Sequence, residues 1–349
     1  MIRKTAAELD ELIRTALTAA GADERNAKRV AQALVSSSMC GVDTHGILHL
    51  PSYVENIHAG DIVPTAWPEI LQEDATSARI GGNWTFGHVS AKYAMEVAIE
   101  KASRQNMSVV SVVQVNHIGR LGEYAEMAAA KGMLSMVWAG GFDAEKPVAV
   151  PYGGREPILS TNPIGIGFPI ADGPPMIIDY ATTMVPGSKV LTAKDKGLEL
   201  PPGSIVDRDG VPTTDPAAFL DGGSHLPFGG HKGYALMLAV EFFGRIFSGT
   251  DAFADEKRGG PIFRRSGVTM MVVRPDLFQS ATDYAMRAEE FGNRVRSVPP
   301  APGFAEVLIP GDLEARTRAL RERDGVPIPD PLWERLKHTA DSLGLNINE

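Results

Sequence analysis

Ser108-Val109-Val110-Ser111-Val112-Val113 and, after a glycine-bounded stretch, Met133-Leu134-Ser135-Met136-Val137-Trp138 decide the fold class of this chain. Both are short runs rich in β-branched and apolar residues, the composition of a buried strand. Between them, Gly119 to Gly132 reads as a turn and a helix with Tyr124, Met127 and Ala128 on one face. Strand, helix, strand at this spacing is a βαβ unit and points to an α/β protein.

Upstream the pattern is helical. Thr5-Ala6-Ala7-Glu8 is a capping box, and Leu9, Leu12, Ile13 and Leu17 follow at helical spacing until Gly21. A second helix starts near Asp23 and carries Val30, Ala33 and Leu34 toward Met39. A third runs through Leu50, Tyr53 and Ile57 and stops at Gly60. Downstream, strands are expected at 164–169, 176–179, 268–273 and 305–309. An apolar helix is expected from Tyr234 to Phe247, and a charged helix capped by Asp312 and running to Arg323. A last helix follows the Pro327-Ile328-Pro329-Asp330-Pro331 break. The expected organisation is a helical segment over 1–72, an α/β core over 73–300 and a C-terminal strand and helices over 301–349.

The 349 residues carry a formal net charge of −9, with the basic residues scattered, so nucleic-acid binding has no electrostatic support. The single cysteine, Cys40, cannot close an intrachain disulfide and suits a reducing compartment. The sequence shows no secretory leader and no apolar run of membrane-spanning length, so a cytoplasmic protein with no membrane partner is expected. The Gly-x-Gly-x-x-Gly fingerprint, the Walker A loop, His-Glu-x-x-His and Gly-x-Ser-x-Gly are all missing.

The chemistry-bearing residues gather in polar loops. Gly41-Val42-Asp43-Thr44-His45-Gly46 sets a hydroxyl directly before an imidazole, the side chain able to exchange protons near neutrality. Asn116-His117-Ile118-Gly119-Arg120-Leu121-Gly122 is a glycine-containing turn from strand to helix, a natural anion site. Leu159-Ser160-Thr161-Asn162-Pro163, Asp179-Tyr180-Ala181-Thr182-Thr183 and Gly229-Gly230-His231-Lys232-Gly233 are further polar turns beside strands and helices. His45 and His49 lie four apart, which with His117 also reads as a metal-ligand set for a hydrolase or lyase.

Taken in order, Thr44-His45-Gly46, Asn116-His117-x-Gly119, Thr161-Asn162-Pro163, Asp179-x-Ala181-Thr182, Pro212-Thr213-Thr214-Asp215-Pro216 and Lys232-Gly233-Tyr234 resemble the malate/L-lactate dehydrogenase-like oxidoreductases. That family includes ureidoglycolate dehydrogenase, diketogulonate reductase, sulfolactate dehydrogenase and piperideine-2-carboxylate reductase. The resemblance implies a non-Rossmann, sulfolactate-dehydrogenase-like α/β fold, with a mixed sheet flanked by helices and helical N- and C-terminal segments. It implies a homodimer using NAD or NADP, with NAD favoured, to interconvert 2-oxo and 2-hydroxy acids or to reduce an imino acid. His45 becomes the proton donor or acceptor, supported by Thr44 and Lys189. Substrate contacts fall on His49, Arg120, Thr161, Gly187 and Ser188. Cofactor contacts fall on His117, Ile118, Gly119, Arg120, Leu121, Asp179, Tyr180, Ala181, Gly230, His231, Lys232, Pro310 and Gly311. Two positions depart from relatives. His49 stands where they carry an arginine suited to a carboxylate, and Gly187-Ser188 replaces a bulkier residue followed by glycine.

Overall fold

The structure is a computed structural model describing residues 2–141 and 146–346. The chain opens with β1 (Ile2–Lys4) and α1 (Ala6–Ala19), whose capping box forms as the sequence predicts: Glu8 N–H donates to Thr5 Oγ1, and Thr5 N–H to the Glu8 carboxylate at 2.7 Å. Asp23 caps α2 (Glu24–Met39), and Gly60, at φ 81°, ends α3 (Leu50–Ala59). The loop between α2 and α3 is not irregular. It winds as two successive 3-10 turns, Asp43–His45 and Ile47–His49.

The hairpin β2 (Glu69–Glu73) and β3 (Ser77–Gly81) leads into α4 (Gly87–Gln105), a long helix the sequence reading passed over. Then come β4 (Met107–Val113), α5 (Gly122–Ala129), β5 (Leu134–Gly140), β6 (Ile164–Phe168) and β7 (Met176–Tyr180). A small unit follows: α6 (Gly187–Asp195), β8 (Ile205–Val206), β9 (Pro212–Thr213), α7 (Pro216–Leu220) and β10 (Ser224–His225), its three strands in the order β10-β8-β9. The chain continues through α8 (His231–Glu241), α9 (Gly260–Phe263), β11 (Gly267–Val273) and α10 (Ala281–Arg296). It ends with α11 (Asp312–Asp324), β12 (Val326–Ile328) and α12 (Asp330–Ser342).

The main sheet has seven strands in the order β2-β3-β4-β11-β5-β6-β7. Only β3 and β4 pair in parallel. The β4-α5-β5 unit is therefore split: β11 lies between its two strands, antiparallel to both, with Met270 opposite Val110 on one side and Val137 on the other. The period of two along β11 assigns its faces. Val268, Met270 and Val272 pack with Ala94 and Ala98 of α4 and Tyr124 of α5. On the other face Met271 joins Trp138 and Val240 of α8, and Thr269 Oγ1 donates to Phe243 O.

A second core holds α1, α2 and α3 together with β12 and α12, and β1 pairs with β12 so that Ile2 faces Ile328. Three expectations need correction. Residues 305–309 form no strand: Ile177 N–H of β7 bonds Pro310 O, Pro310 has no N–H to return, and Ile309 N–H is taken by the Asp312 carboxylate. The helix expected over 234–247 starts at His231 and loosens into a π-helical turn over Phe242–Phe247. Finally, Gly311 at φ 101° is the cap of α11, while Asp312 pairs with Arg296.

Candidate active site

The two 3-10 turns place His45 and His49 against His117, and α4 brings His88 beneath them. His45 stacks on His117 at 5.7 Å between ring centres, and His49 sits 4.6 Å from the same ring. His88 meets His117 edge-on at 6.1 Å. Tyr53, one helical turn after His49, stacks on His49 and hydrogen-bonds His117 Nδ1 at 2.7 Å. Thr44 Oγ1 lies 3.1 Å from His45 Nδ1, and His49 Nε2 donates to Thr44 O at 2.9 Å. Asp43, the nearby carboxylate, is turned away and paired with Arg321 of α11.

Burial sets the charge of this cluster. Desolvation lowers His45 to about 4, with the positive potential of His49 and Arg120 adding to it. Burial also lowers His49, partly offset by its bond to Thr44 O, and holds His88 and His117 well below the ordinary imidazole range. All four rings are neutral at working pH. Among the described residues no group of three or more His, Cys, Asp or Glu side chains is placed to hold a metal ion. The hydrolase or lyase reading of His45, His49 and His117 thus has no ligand geometry behind it.

The other polar loops converge along one edge of the sheet. Thr182 N–H and Oγ1 donate to Thr161 O, and Thr182 Oγ1 also reaches Asn162 O, which ties the Thr161 turn to the end of β7. Asn162 Nδ2 donates to Glu241 of α8 at 2.7 Å. Phe228 N–H bonds Thr182 O, bringing the Gly230-His231-Lys232 turn alongside, with His231 and Lys232 exposed. Asp179 accepts from Gly122 N–H at 2.7 Å, joining the His117–Leu121 loop to β7, and the Ile177 bond to Pro310 O adds Pro310 and Gly311. Tyr180 is exposed beside Ala181.

The start of α8 is open to solvent-borne groups. Its cap, Gly230, makes no side-chain cap bond, and a Cβ at Gly229 would meet nothing within 4 Å. Open N–H groups at a helix start attract an anion.

A family model described as malate/L-lactate dehydrogenase matches residues 5–337. This chain belongs to the malate/L-lactate dehydrogenase family. L-sulfolactate dehydrogenase of Methanocaldococcus jannaschii is 35% identical over 340 residues, covering 97% of this chain and 96% of the relative. Hydroxycarboxylate dehydrogenase B of Escherichia coli (strain K12) is 33% identical over 346 residues, covering 98% and 95%. The solved structure of sulfolactate dehydrogenase from Methanocaldococcus jannaschii superposes with a TM-score of 0.88 at 34% identity, covering 99% of this chain and 98% of that one. The structure of delta1-piperideine-2-carboxylate reductase from Pseudomonas syringae gives 0.86 at 29% identity, covering 97% and 100%. The fold is the sulfolactate-dehydrogenase-like one, and the chain is a hydroxy-acid dehydrogenase working with a nicotinamide cofactor. No helix of the described residues is long and apolar enough to cross a membrane.

Within this family fold, Arg120 is buried, bonded to Glu126 at 2.7 Å, and its charge acts on both His45 and Asp179. Lys189 is exposed on α6. Gly187 and Ser188 start α6 beside His225 rather than beside His45. Sequence reasoning missed His88, Glu241 and His225, and used Tyr53 only as a helix marker. Tyr53 was findable, since it is four residues after His49 on one helical face. His88 carried no signal, because the helix that holds it went unseen.

Proposed function

We propose that this protein transfers hydride between NAD or NADP and a 2-oxo/2-hydroxy acid, with His45 moving the proton. The observation that supports this best is the Thr44–His45 pair. Thr44 fixes Nδ1, which leaves Nε2 for the substrate oxygen, and burial keeps the ring unprotonated. The nicotinamide supplies or accepts the hydride when bound. A neutral His45 is ready to take the proton of a hydroxyl. In the other direction it must first be protonated before it can give one to the oxygen. Thr161, Gly187 and Ser188 are proposed to face the substrate, and the Gly230–Lys232, His117–Leu121 and Asp179–Ala181 segments the cofactor, with NAD the first expectation. Exposed Phe242, Phe243, Ile246 and Phe247 form an apolar ridge suited to a homodimer, and the single buried cysteine suits the cytoplasm.

His49 does not replace the arginine of relatives as a carboxylate grip. Its Nε2 proton is spent on Thr44 O, so Nδ1 presents a lone pair that repels an anion. His49→Arg is expected to change the profile of acids accepted in a panel of 2-oxo acids, and an unchanged profile would count against this view of the position.

The decisive variant is His45→Ala. Turnover of every 2-oxo and 2-hydroxy acid should fall by about 10²–10⁴-fold, the usual worth of a general acid–base. NADH or NADPH should still quench or enhance fluorescence on binding. In the wild type, kcat/KM for hydroxy-acid oxidation should stay level from pH 8 to about 5 and fall toward 4, while that for reduction should rise as pH falls. Full turnover by His45→Ala would end the assignment.

A further inference from the structure

The way His117 is held fixes where its proton sits. Four rings pack on it: His49 at 4.6 Å between ring centres, His45 at 5.7 Å, Phe263 at 5.8 Å and His88 at 6.1 Å. Its Nδ1 meets the Tyr53 hydroxyl at 2.7 Å. Tyr53 is 3% exposed, and among the described residues its hydroxyl has no other hydrogen-bond partner. Burial raises the phenol well above its ordinary 10, so it keeps its proton.

A buried O–H with a single partner donates to it, because an unanswered donor is costly and a bare imidazole nitrogen is an acceptor. His117 Nδ1 is therefore the lone-pair nitrogen. Burial and the three neighbouring imidazoles keep the ring uncharged, so its one proton is on Nε2. A ring turned over would set a C–H against the Tyr53 oxygen and lose the bond. The hydroxyl thus fixes the orientation of the ring as well as its tautomer.

His45 and His117 then form a complementary pair. Their planes lie 20° apart. Each is held at Nδ1 by a hydroxyl, Thr44 for one and Tyr53 for the other. Each leaves an Nε2 that is neither bonded nor enclosed among the described residues. As a base, His45 offers a lone pair at Nε2, and Thr44 Oγ1 has lone pairs to accept the Nδ1 proton. One ring presents an acceptor and the other a donor. A 2-hydroxy acid has a hydroxyl proton to give and carboxylate oxygens that accept. His49 adds no second donor, since its proton goes to Thr44 O.

We propose that Tyr53 is a positioning residue that locks His117 as its Nε2–H form, and that this N–H donates to the carboxylate of the substrate beside His45. The inference rests on the oxidoreductase reading. It assigns the side chain of His117 to the acid and leaves the backbone of the His117–Leu121 loop to the cofactor.

The test joins ring ¹⁵N spectra with calorimetry of oxamate, an unreactive 2-oxo-acid mimic, added to the enzyme–NADH complex. NADH affinity is measured separately. In the wild type, His117 should show a protonated Nε2 and a bare Nδ1, and its Nε2 resonance should shift when oxamate binds. Tyr53→Phe keeps the ring that stacks on His49 and removes only the hydroxyl. It should mix the two tautomers in the His117 spectrum and weaken oxamate a few-fold, with NADH affinity held. His117→Phe keeps a ring in the stack without a donor and should weaken oxamate about tenfold, the worth of one hydrogen bond to a charged group. A wild-type proton on Nδ1 overturns the proposal, since Tyr53 would then donate into the small cavity it shares with Asn56, Asn116 and Phe263. An unchanged His117 spectrum in Tyr53→Phe removes the positioning role. Equal oxamate affinity in wild type and His117→Phe overturns the contact with the acid, as does an equal loss of NADH affinity, which would assign the N–H to the cofactor. If neither variant folds, a wild-type Nε2 resonance unmoved by oxamate overturns that contact. A wild type that neither binds oxamate nor reduces any 2-oxo acid fails the oxidoreductase reading itself, while the tautomer in the free protein still decides the role of Tyr53.

Discussion

α5 and α8 both start from glycine-containing turns beside the ends of strands, yet the two starts are occupied differently. At α5 the first N–H, that of Gly122, is taken by the Asp179 carboxylate at 2.7 Å. At α8 no side chain caps the helix, and Gly229 and Gly230 leave the approach clear. One helix carries its own anion, and the other is open to one from outside. The difference shows that a glycine turn in a sequence marks where donors are, not whether they are free. A residue far along the chain decides that, here one 57 positions away from Gly122.

The glycines themselves give the sharpest way to break the comparison. Gly119 has φ +74°, and a Cβ there would lie 2.3 Å from His88 Nε2. Gly119→Ala pays both for a left-handed backbone and for a collision inside the packed imidazole cluster. The expected loss is about 2–4 kcal/mol of unfolding free energy, read from urea denaturation. Gly230 also has positive φ, +64°, but a Cβ there meets only the Tyr152 ring, at 3.5 Å. Gly230→Ala should cost about 1–2 kcal/mol of strain. It should instead show itself in NADH affinity, which should weaken about tenfold as the donors at the start of α8 shift. Equal stability losses would mean that the α5 turn is no more tightly built than the α8 turn. Unchanged NADH affinity in Gly230→Ala would remove α8 from the cofactor site.

Legibility in the sequence followed the same division between local and distant causes. The capping box at Thr5, the cap at Asp23, the stop at Gly60 and the strands around 164–168, 176–180 and 267–273 all rest on near neighbours, and they formed. The position of β11 between β4 and β5 did not show, because both of its partners lie well over a hundred residues earlier in the chain. α4 escaped notice because alanine fills much of its buried face, at Ala91, Ala94, Ala98 and Ala102, where larger apolar residues would have displayed the period. In the candidate site, the residues named from motifs lie in turns or at the very ends of strands and helices. The ones missed, His88, Glu241 and His225, sit in helices or a short strand and reach the loops only through contacts distant in sequence.

The smallest effect expected is the most telling about α5. Asp179→Asn keeps an oxygen to accept from Gly122 N–H and removes the negative charge at the helix start, worth about 0.3–1 kcal/mol when exposed. Here the charge is also buried. Desolvation raises Asp179 to about 6 from an ordinary 3.8, against the lowering pull of Gly122 N–H and Arg120. A carboxyl raised in the folded state gives stability that is complete below pH 3.8 and is lost as pH rises through about 6. Asparagine has no such proton to hold. The wild type should therefore exceed Asp179→Asn in stability by more at pH 5 than at pH 8, measured by urea unfolding at both. A gap that instead widens toward pH 8 would mean that the helix start and Arg120 outweigh burial. Asp179 would then be a firmly ionised cap, and α5 would be closed to an outside anion at every working pH.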